Sequence, residues 1–218
     1  MKLLNLIMGE RGHRQTMNYK IIASGSSGNC VIINDVMIDC GVSFKDLSSY
    51  LYDIKYLILT HIHTDHVKLT TLKTIKKLFP RITIVGNYEV HQKFRVHKIT
   101  NAEQVLTVGN YEFLPFLCEH DVLTYGFTWK YEDISILYAT DTASMDNAPD
   151  SMYDYIFIES NHCEKKLELA RGQVKGGYNP YTSGKRHLST QQAKAFYYLH
   201  RRNKNSEFIE LHKSKKFY

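Results

Sequence analysis

Four side chains able to bind metal fall within six positions of this chain, in the run His61-Ile62-His63-Thr64-Asp65-His66. The run closely follows residues 56–59, an apolar stretch typical of a buried strand. Two imidazoles two residues apart on extended backbone point the same way and can bind one cation, while Asp65 and His66 on the adjoining turn can reach a second. Nitrogen and carboxylate ligands without thiolates suit zinc, manganese or iron, and argue against a closed structural zinc site.

So short a run leaves two coordination shells incomplete, and further ligands are expected elsewhere in the chain. Three candidates each follow an apolar, strand-like stretch: His120, Asp141 and His212. Taken singly, each is more often an ordinary surface residue than a ligand. Their shared position after a strand is the observation that favours a metal site.

Composition describes an ordinary globular protein. Of 218 residues, 43% are hydrophobic and 23% charged, which is enough for one domain with a sizeable core, and no apolar stretch is long enough to span a membrane. The formal net charge of +6 favours anionic partners but identifies none by itself. The widely spaced cysteines form no Cys-x-x-Cys pair, which argues against a zinc ribbon or a disulfide framework and predicts a cytoplasmic location: Cys30, Cys40, Cys118 and Cys163.

Residues 1–16 are predicted to be a disordered leader, and residues 17–218 a single domain. The apolar run at the N-terminus is too short for a signal peptide, and charged residues follow where a small-residue cleavage site is expected. Because the regular pattern begins directly after Met17, this methionine is an alternative start.

Strand-like and helix-like segments alternate in both halves of the chain. Strands are predicted at residues 19–23, 30–33, 36–38, 56–59, 81–85, 111–117, 126–131, 134–139, 155–158 and 207–211. Helices are predicted at residues 43–52, 69–79, 89–94, 165–170 and 190–201, with a glycine-rich loop at 172–184. This order predicts helices packed on mixed sheets, an α/β layered domain.

The His-x-His-x-Asp-His run resembles the defining motif of the metallo-β-lactamase superfamily, and the resemblance extends over nearly the whole chain from Met17. Five further strings resemble its YycJ/WalJ branch, namely residues 23–30 (Ala-Ser-Gly-Ser-Ser-Gly-Asn-Cys), 38–41 (Ile-Asp-Cys-Gly), 159–162 (Glu-Ser-Asn-His), 186–189 (Arg-His-Leu-Ser) and 211–214 (Leu-His-Lys-Ser). The resemblance implies an αβ/βα four-layer sandwich, in which two mixed β-sheets are flanked by helices and two metal ions lie in a cleft along the upper edge.

The resemblance also implies a role for each candidate residue. One metal ion would be held by His61, His63 and His120, and the other by Asp65, His66 and His212. Asp141 would bridge the two ions, Asp65 would also take part in catalysis, and Asp39 would orient the histidine run. Substrate would be contacted by Asn161, His162, Lys185 and Arg186.

His187 and His212 compete for the last ligand position. His212 follows an apolar strand, where this fold keeps its final ligand. His187 lies between the glycine-rich loop and a capped helix, and resembles the proton-donating His-Ser-Thr segment of tRNA 3′-processing enzymes. We therefore assign His212 to the metal and His187 to general acid catalysis, with Glu159 orienting His187.

Two divalent ions, zinc or manganese, about 3.5–4 Å apart would generate a bridging hydroxide as nucleophile. An oxygen-rich second site, a proton donor for the leaving group and a basic loop favour a phosphodiester substrate; that loop contains Arg171, Lys175, Lys185 and Arg186. The resemblance implies a DNA nuclease, most concretely a 5′-directed exonuclease, and Tyr178 and Tyr181 are candidates for stacking on bases.

Two alternatives remain open at this point. The same centre would serve a phosphodiesterase for a cyclic nucleotide or another small molecule, or the chain would be a catalytically inactive metal-binding interaction protein. Three departures from the branch bear on the substrate more than on the metal centre: a short segment after His212, Cys163 in place of an acidic residue, and a different loop at residues 175–186.

Overall fold

The computed structural model describes residues 17–174, 176–177 and 179–218. The predicted leader at residues 1–16 lies outside the described residues, as do Lys175 and Tyr178 of the basic loop. In the described part of the chain, no helix is both long enough and apolar enough to cross a membrane.

The first sheet is built by the N-terminal half of the chain. Its strands lie side by side in chain order: β1 (Tyr19–Ala23), β2 (Cys30–Ile33), β3 (Val36–Ile38), β4 (Tyr56–Leu59), β5 (Thr83–Gly86) and β6 (Lys98–Ile99). The first three strands pair antiparallel, and pairing from β3 to β6 is parallel.

The second sheet is built by the C-terminal half and is also mixed. Its strands are again adjacent in chain order: β7 (Leu106–Val108), β8 (Tyr111–Cys118), β9 (Thr124–Tyr131), β10 (Ile134–Ala139), β11 (Tyr155–Glu159) and β12 (Glu207–Leu211). Pairing is antiparallel from β7 to β10 and parallel from β10 to β12.

Among the described residues, six helices accompany the sheets: α1 (Phe44–Leu47), α2 (Leu69–Leu78), α3 (Tyr88–Phe94), α4 (Glu164–Glu168), α5 (Pro180–Gly184) and α6 (Thr190–His200). Along β2, Val31 and Ile33 pack between the sheets, whereas Cys30 and Ile32 join a second apolar cluster with α1, α2 and α3. This alternation follows from the two-residue period of a strand. A third cluster lies between the second sheet and α6. The predicted four-layer architecture, in which two mixed sheets are flanked by helices, is therefore confirmed.

Local differences from the predicted elements have identifiable causes. The helix predicted at residues 43–52 is only α1, because the backbone after Leu47 forms turns, in which Tyr50 N donates to Leu47 O and Asp53 N to Tyr50 O. The predicted loop at 172–184 contains α5, where the Asn179 side chain accepts from Thr182 N and Pro180 supplies the first helical position. Strands β6 and β7 have two and three residues, too few to show a periodic pattern.

Candidate metal centre

The candidate ligands come together because strands of both sheets end at the same edge of the sandwich. Asp39 directly follows β3, Asp141 lies two residues after β10, and His212 directly follows β12. All three adopt left-handed backbone, with φ of 62°, 52° and 51°. Such backbone costs a non-glycine residue roughly 1–3 kcal/mol and is concentrated at functional sites, where the surrounding structure holds it. Here it turns two candidate ligands, Asp141 and His212, and the orienting carboxylate of Asp39 off the strand direction.

A cluster of three imidazoles forms the first donor set. His61, His63 and His120 each offer a ring nitrogen, and these atoms lie within 4.8 Å of one another. His63 Nδ1 lies 3.1 Å from His61 Nε2 and 3.3 Å from His120 Nε2. The structure thus places together the three residues predicted to hold one ion.

The second donor set adjoins the first and shares Asp141 with it. Asp65, His66 and His212 form one group of converging donor atoms, and Asp141 belongs to a group with His61 and His66 as well as to one with His212. Asp141 Oδ2 lies 2.5 Å from His66 Nε2, and its Oδ1 lies 3.5 Å from His212 Nε2. This position between the two sets is the one expected of a bridging ligand.

Buried donor atoms without hydrogen bonds test whether the residues fit a cation. Among the described residues, His120 Nδ1, Asp141 Oδ2 and His212 Nε2 are buried and have no partner in hydrogen-bond geometry. Asp141 Oδ2 does lie close to His66 Nε2, in an ionic contact. Leaving such an atom unsatisfied costs about 1–3 kcal/mol. Cations bound to Asp141 Oδ2 and His212 Nε2 would remove that cost, so the donor set fits metal ions.

Charge coupling within the cluster shows what a cation must displace. Burial opposes protonation of His66, but Asp141 and Asp39 outweigh it and hold the pKa of His66 well above its ordinary value. Burial likewise opposes protonation of His212, yet Asp141 and Glu159 raise its pKa to about 9. Burial favours a neutral Asp141, but the charges of His66 and His212 hold its pKa well below the usual range. Metal binding therefore releases protons from imidazoles.

Asp39 holds the histidine run in place through hydrogen bonds to Thr60 and His66, as predicted for an orienting carboxylate. It is fully buried and accepts hydrogen bonds from Thr60 N at 2.8 Å, from Thr60 Oγ1 at 2.9 Å and from His66 Nδ1 at 2.7 Å. A carboxylate only accepts, so it fixes the proton of His66 on Nδ1 and leaves Nε2 toward the donor set.

Asn29 and Gly41 are supporting residues to which the sequence analysis gave no role. Asn29 Nδ2 lies 2.8 Å from His66 Nε2 and 3.3 Å from Asp65 Oδ2, and Asn29 N donates to Asp65 O at 2.7 Å. A side chain at Gly41 would place its Cβ 1.7 Å from Asp65 O, so only glycine permits this approach. Both residues lie in strings that resemble the YycJ/WalJ branch, and this was the available signal.

Glu159 links the two histidines that compete for the last ligand position. Its Oε1 lies 2.7 Å from His187 Nδ1 and 2.9 Å from His212 Nδ1, and its Oε2 accepts from Thr142 N and Leu188 N. Because Glu159 occupies Nδ1 in both rings, Nε2 of each histidine remains available to bind a metal ion or to donate a proton. The His212 side chain is 7% exposed and the His187 side chain 17%, so His187 is the more open to solvent.

The four residues predicted to contact substrate are differently placed. Asn161 Nδ2 donates to His212 O at 2.8 Å, and His162 is 2% exposed. Lys185 and Arg186 are exposed, and Arg186 Nη1 lies 3.4 Å from Asp121 Oδ2. Their contact with substrate stays a prediction.

Asp121 is a further residue without a role in the sequence analysis. Its Oδ1 lies 3.1 Å from His120 Nε2 and 3.5 Å from His63 Nε2. Its position directly after His120 was the only signal, and a single carboxylate next to a histidine is too common to stand out.

Comparisons with known proteins agree with this geometry. No protein-family model matches the chain. Exodeoxyribonuclease YycJ of Bacillus anthracis is 25% identical over 182 residues, which cover 71% of this chain and 67% of that protein. The metallo-β-lactamase fold protein YhfI from Bacillus subtilis superposes with a TM-score of 0.66 at 18% identity, over 91% of this chain and 86% of YhfI. The short form of human tRNase Z gives 0.64 at 16% identity, over 90% of this chain and 93% of tRNase Z.

The structural matches agree with the fold that the two sheets and their strand order define, and the sequence match extends to the branch that the short strings resemble. The resemblance inferred from the sequence is confirmed. This chain has the metallo-β-lactamase fold and is similar, in sequence to exodeoxyribonuclease YycJ and in fold to YhfI and tRNase Z, to the hydrolases of the metallo-β-lactamase superfamily.

Proposed function

We propose that this chain is a metal-dependent phosphodiester hydrolase that acts on nucleic acid, and in its most specific form a nuclease that degrades DNA from the 5′ end. The observation that carries the proposal is the placement of Asp141 between two donor sets, with His187 beside it. The similarity to exodeoxyribonuclease YycJ, and the fold shared with tRNase Z, support a nucleic acid substrate.

Two divalent ions, zinc or manganese, would activate water and neutralise the charge that develops on a phosphodiester. The side chains proposed to hold them are His61, His63, Asp65, His66, His120, Asp141 and His212. The mixture of imidazole nitrogen and carboxylate oxygen suits either metal.

His187 is proposed to donate a proton to the leaving alkoxide. Burial opposes protonation of this imidazole, but the hydrogen bond and charge of Glu159 raise the pKa of His187 above its ordinary value. The same hydrogen bond holds Nδ1, so that Nε2 is the atom that remains for the substrate. The raised pKa favours the protonated imidazole, and a protonated donor partly open to solvent is what this step requires.

The basic residues beside His187 are proposed to meet phosphates of the strand. Arg171 is already held by Glu168 and by the ring and hydroxyl of Tyr181. Lys185 makes no ion pair with the described residues, and Arg186 lies at the longer distance of 3.4 Å from Asp121, so these two are the more available cations. Tyr181, held in this way, is a proposed platform for a base, and Tyr178 was proposed with it but lies outside the described residues.

The free thiols of the four cysteines support a location in a reducing compartment, the cytoplasm.

The experiment is to incubate zinc-loaded and manganese-loaded protein with end-labelled DNA, end-labelled RNA and a panel of cyclic nucleotides. Progressive release of mononucleotides from the 5′ end of DNA is expected, with no release by Asp141→Ala. Normal release is expected for Asp154→Ala, a matched loss of a carboxylate directly before β11, at the end of that strand away from Glu159. Faster turnover of a cyclic nucleotide than of any polymer would refute the nuclease proposal and favour a small-molecule phosphodiesterase. Two bound ions without hydrolysis of any substrate would make the chain a metal-binding interaction protein.

A further inference from the structure

A cavity of about 350 Å³ opens beside the candidate metal centre and has no role in the function proposed so far. Two segments form most of its wall. One is the serine-glycine loop, residues 24–28 between β1 and β2, and the other is the C-terminal segment, residues 213–217 after β12. His187 and His212 also line it, so a group bound in the cavity lies next to the reacting centre.

The electrostatic character of this cavity favours an anion. Three lysines line it, and among the described lining residues none is acidic. Lys213 is neutralised locally, because its Nζ lies 3.0 Å from Glu210 Oε2. Lys215 and Lys216 are exposed and make no ion pair with the described residues. Two uncompensated cations therefore remain at the cavity.

The serine-glycine loop adds hydrogen-bond donors to these charges. Gly28 N donates to Gly25 O at 2.9 Å, which closes a tight turn with Ser26 and Ser27 at its centre. Within the described chain, neither the backbone amides nor the hydroxyls of these two exposed serines have a partner. Successive free amides in a turn form a concave site that suits an anion.

Neighbouring hydroxyls hold the two segments in place. Ser24 Oγ accepts from His212 N at 2.7 Å, so the loop is tied to the end of β12. Ser214 N donates to Asn161 O at 2.8 Å, and Ser214 Oγ accepts from the amides of Lys216 and Phe217. The cavity is therefore built around the centre by fixed contacts, and its position relative to His212 is defined.

We propose that this cavity binds the terminal 5′-phosphate of the nucleic acid strand, through the amides and hydroxyls of Ser26 and Ser27 and the charges of Lys215 and Lys216. The proposal rests on the proposed nuclease function and would account for cleavage from the 5′ end. A volume at the lower end of the range for small-ligand sites suits a strand end better than a strand passing through. A terminal phosphate also carries more negative charge than an internal one.

The test compares metal-loaded protein binding to three oligonucleotides of one sequence, which carry a 5′-phosphate, a 5′-hydroxyl or a 3′-phosphate with a 5′-hydroxyl. Each has non-hydrolysable methylphosphonate linkages at both ends, and affinity is read by fluorescence anisotropy. The 5′-phosphate form is expected to bind about tenfold or more tightly than the other two, the effect of at least one hydrogen bond to a charged group. In the double variant Lys215→Gln and Lys216→Gln this ratio should fall toward one. A Lys204→Gln variant, an exposed lysine before β12, should keep the wild-type ratio.

Equal affinity for the three oligonucleotides, or preference for the 3′-phosphate, would overturn the assignment of the cavity. So would an undiminished ratio in the double variant with normal folding. If the protein cleaves ordinary DNA but shows no preference for either end, the nuclease proposal is supported and the proposed phosphate site is refuted. If the protein clearly prefers the 5′-phosphate but cleaves neither ordinary DNA nor RNA, the phosphate site is supported and the nuclease proposal is refuted.

Discussion

Replacing Asp39 by asparagine tests what a buried carboxylate contributes to a metal site when it contacts the ligand His66 but belongs to neither donor set. The substitution preserves shape, and asparagine tolerates the left-handed backbone at this position, where φ is 62°. In the unchanged protein Thr60 N donates to Asp39 Oδ1 at 2.8 Å, and the amide oxygen of asparagine can accept the same hydrogen bond. The amide nitrogen, however, replaces the oxygen that lies 2.7 Å from His66 Nδ1.

The consequence for His66 follows from its two tautomers. A carboxylate accepts from His66 Nδ1 and leaves Nε2 unprotonated for the metal, whereas an amide donates to Nδ1 and moves the ring proton to Nε2. Binding must then either remove that proton or break the new hydrogen bond. Changes of this kind weaken metal affinity by about 10- to 100-fold, equivalent to roughly 1.4–2.7 kcal/mol. Only the ion held by His66 should be affected to this extent.

The assay is competition for zinc against a chromogenic chelator, with metal content measured after dialysis. Asp39→Asn should show one site with wild-type affinity and one weakened site. Asp35→Asn is the matched control, because Asp35 lies at the other end of β3 and accepts from Tyr111 and Lys55. Two sites of unchanged affinity in a folded Asp39→Asn protein would refute the reasoning, as would equal weakening in both variants.

Four further predictions follow from the same geometry. Asp141→Ala should lose at least one of two ions by metal analysis, and full occupancy would exclude a bridging role. His187→Ala should keep both ions but lose turnover by roughly 10²–10⁴-fold, with a smaller loss for a nitrophenyl ester that needs no proton, whereas His212→Ala should lose metal without such rescue; the reverse pattern would exchange the two roles. In metal-free protein the pKa of His212 is about 9, against about 6.5 in the unfolded chain. Protonated His212 therefore stabilises the folded state fully below about pH 6.5, and this stabilisation is lost as the pH rises through 9. Denaturant titration should therefore show a decrease of up to about 3 kcal/mol between pH 6.5 and 9.5, and a flat profile would contradict it. Replacing Lys185 and Arg186 by alanine should reduce the salt dependence of DNA binding by roughly two phosphate contacts, and an unchanged slope would place the strand elsewhere.

The fold was predictable because its patterns are local and strong. Buried strands such as β4 and β10 consist almost entirely of apolar residues, and α6 begins with a capping box at Ser189 that can be recognised from spacing alone. Where such local signals are weak, the prediction was wrong in detail. Helix α1 ended early because the backbone after Leu47 forms turns, closed by bonds such as Tyr50 N to Leu47 O, and α5 formed within a segment read as a loop.

The run from His61 to His66 determined the chemistry of the site, since its residue types and spacing admit few functions other than metal binding. The sequence also suggested the distant ligands, because each follows an apolar strand. Only the tertiary structure decided that these strands end at one edge, where left-handed backbone at Asp39, Asp141 and His212 directs their side chains toward a common centre. The supporting contacts of Asn29, Asp121 and Gly41 depend on distances between segments far apart in the chain, which no local pattern encodes. The same holds for the cavity beside His212, because the serine-glycine loop and the C-terminal lysines lie at opposite ends of the domain in sequence and become neighbours only when the two sheets pack.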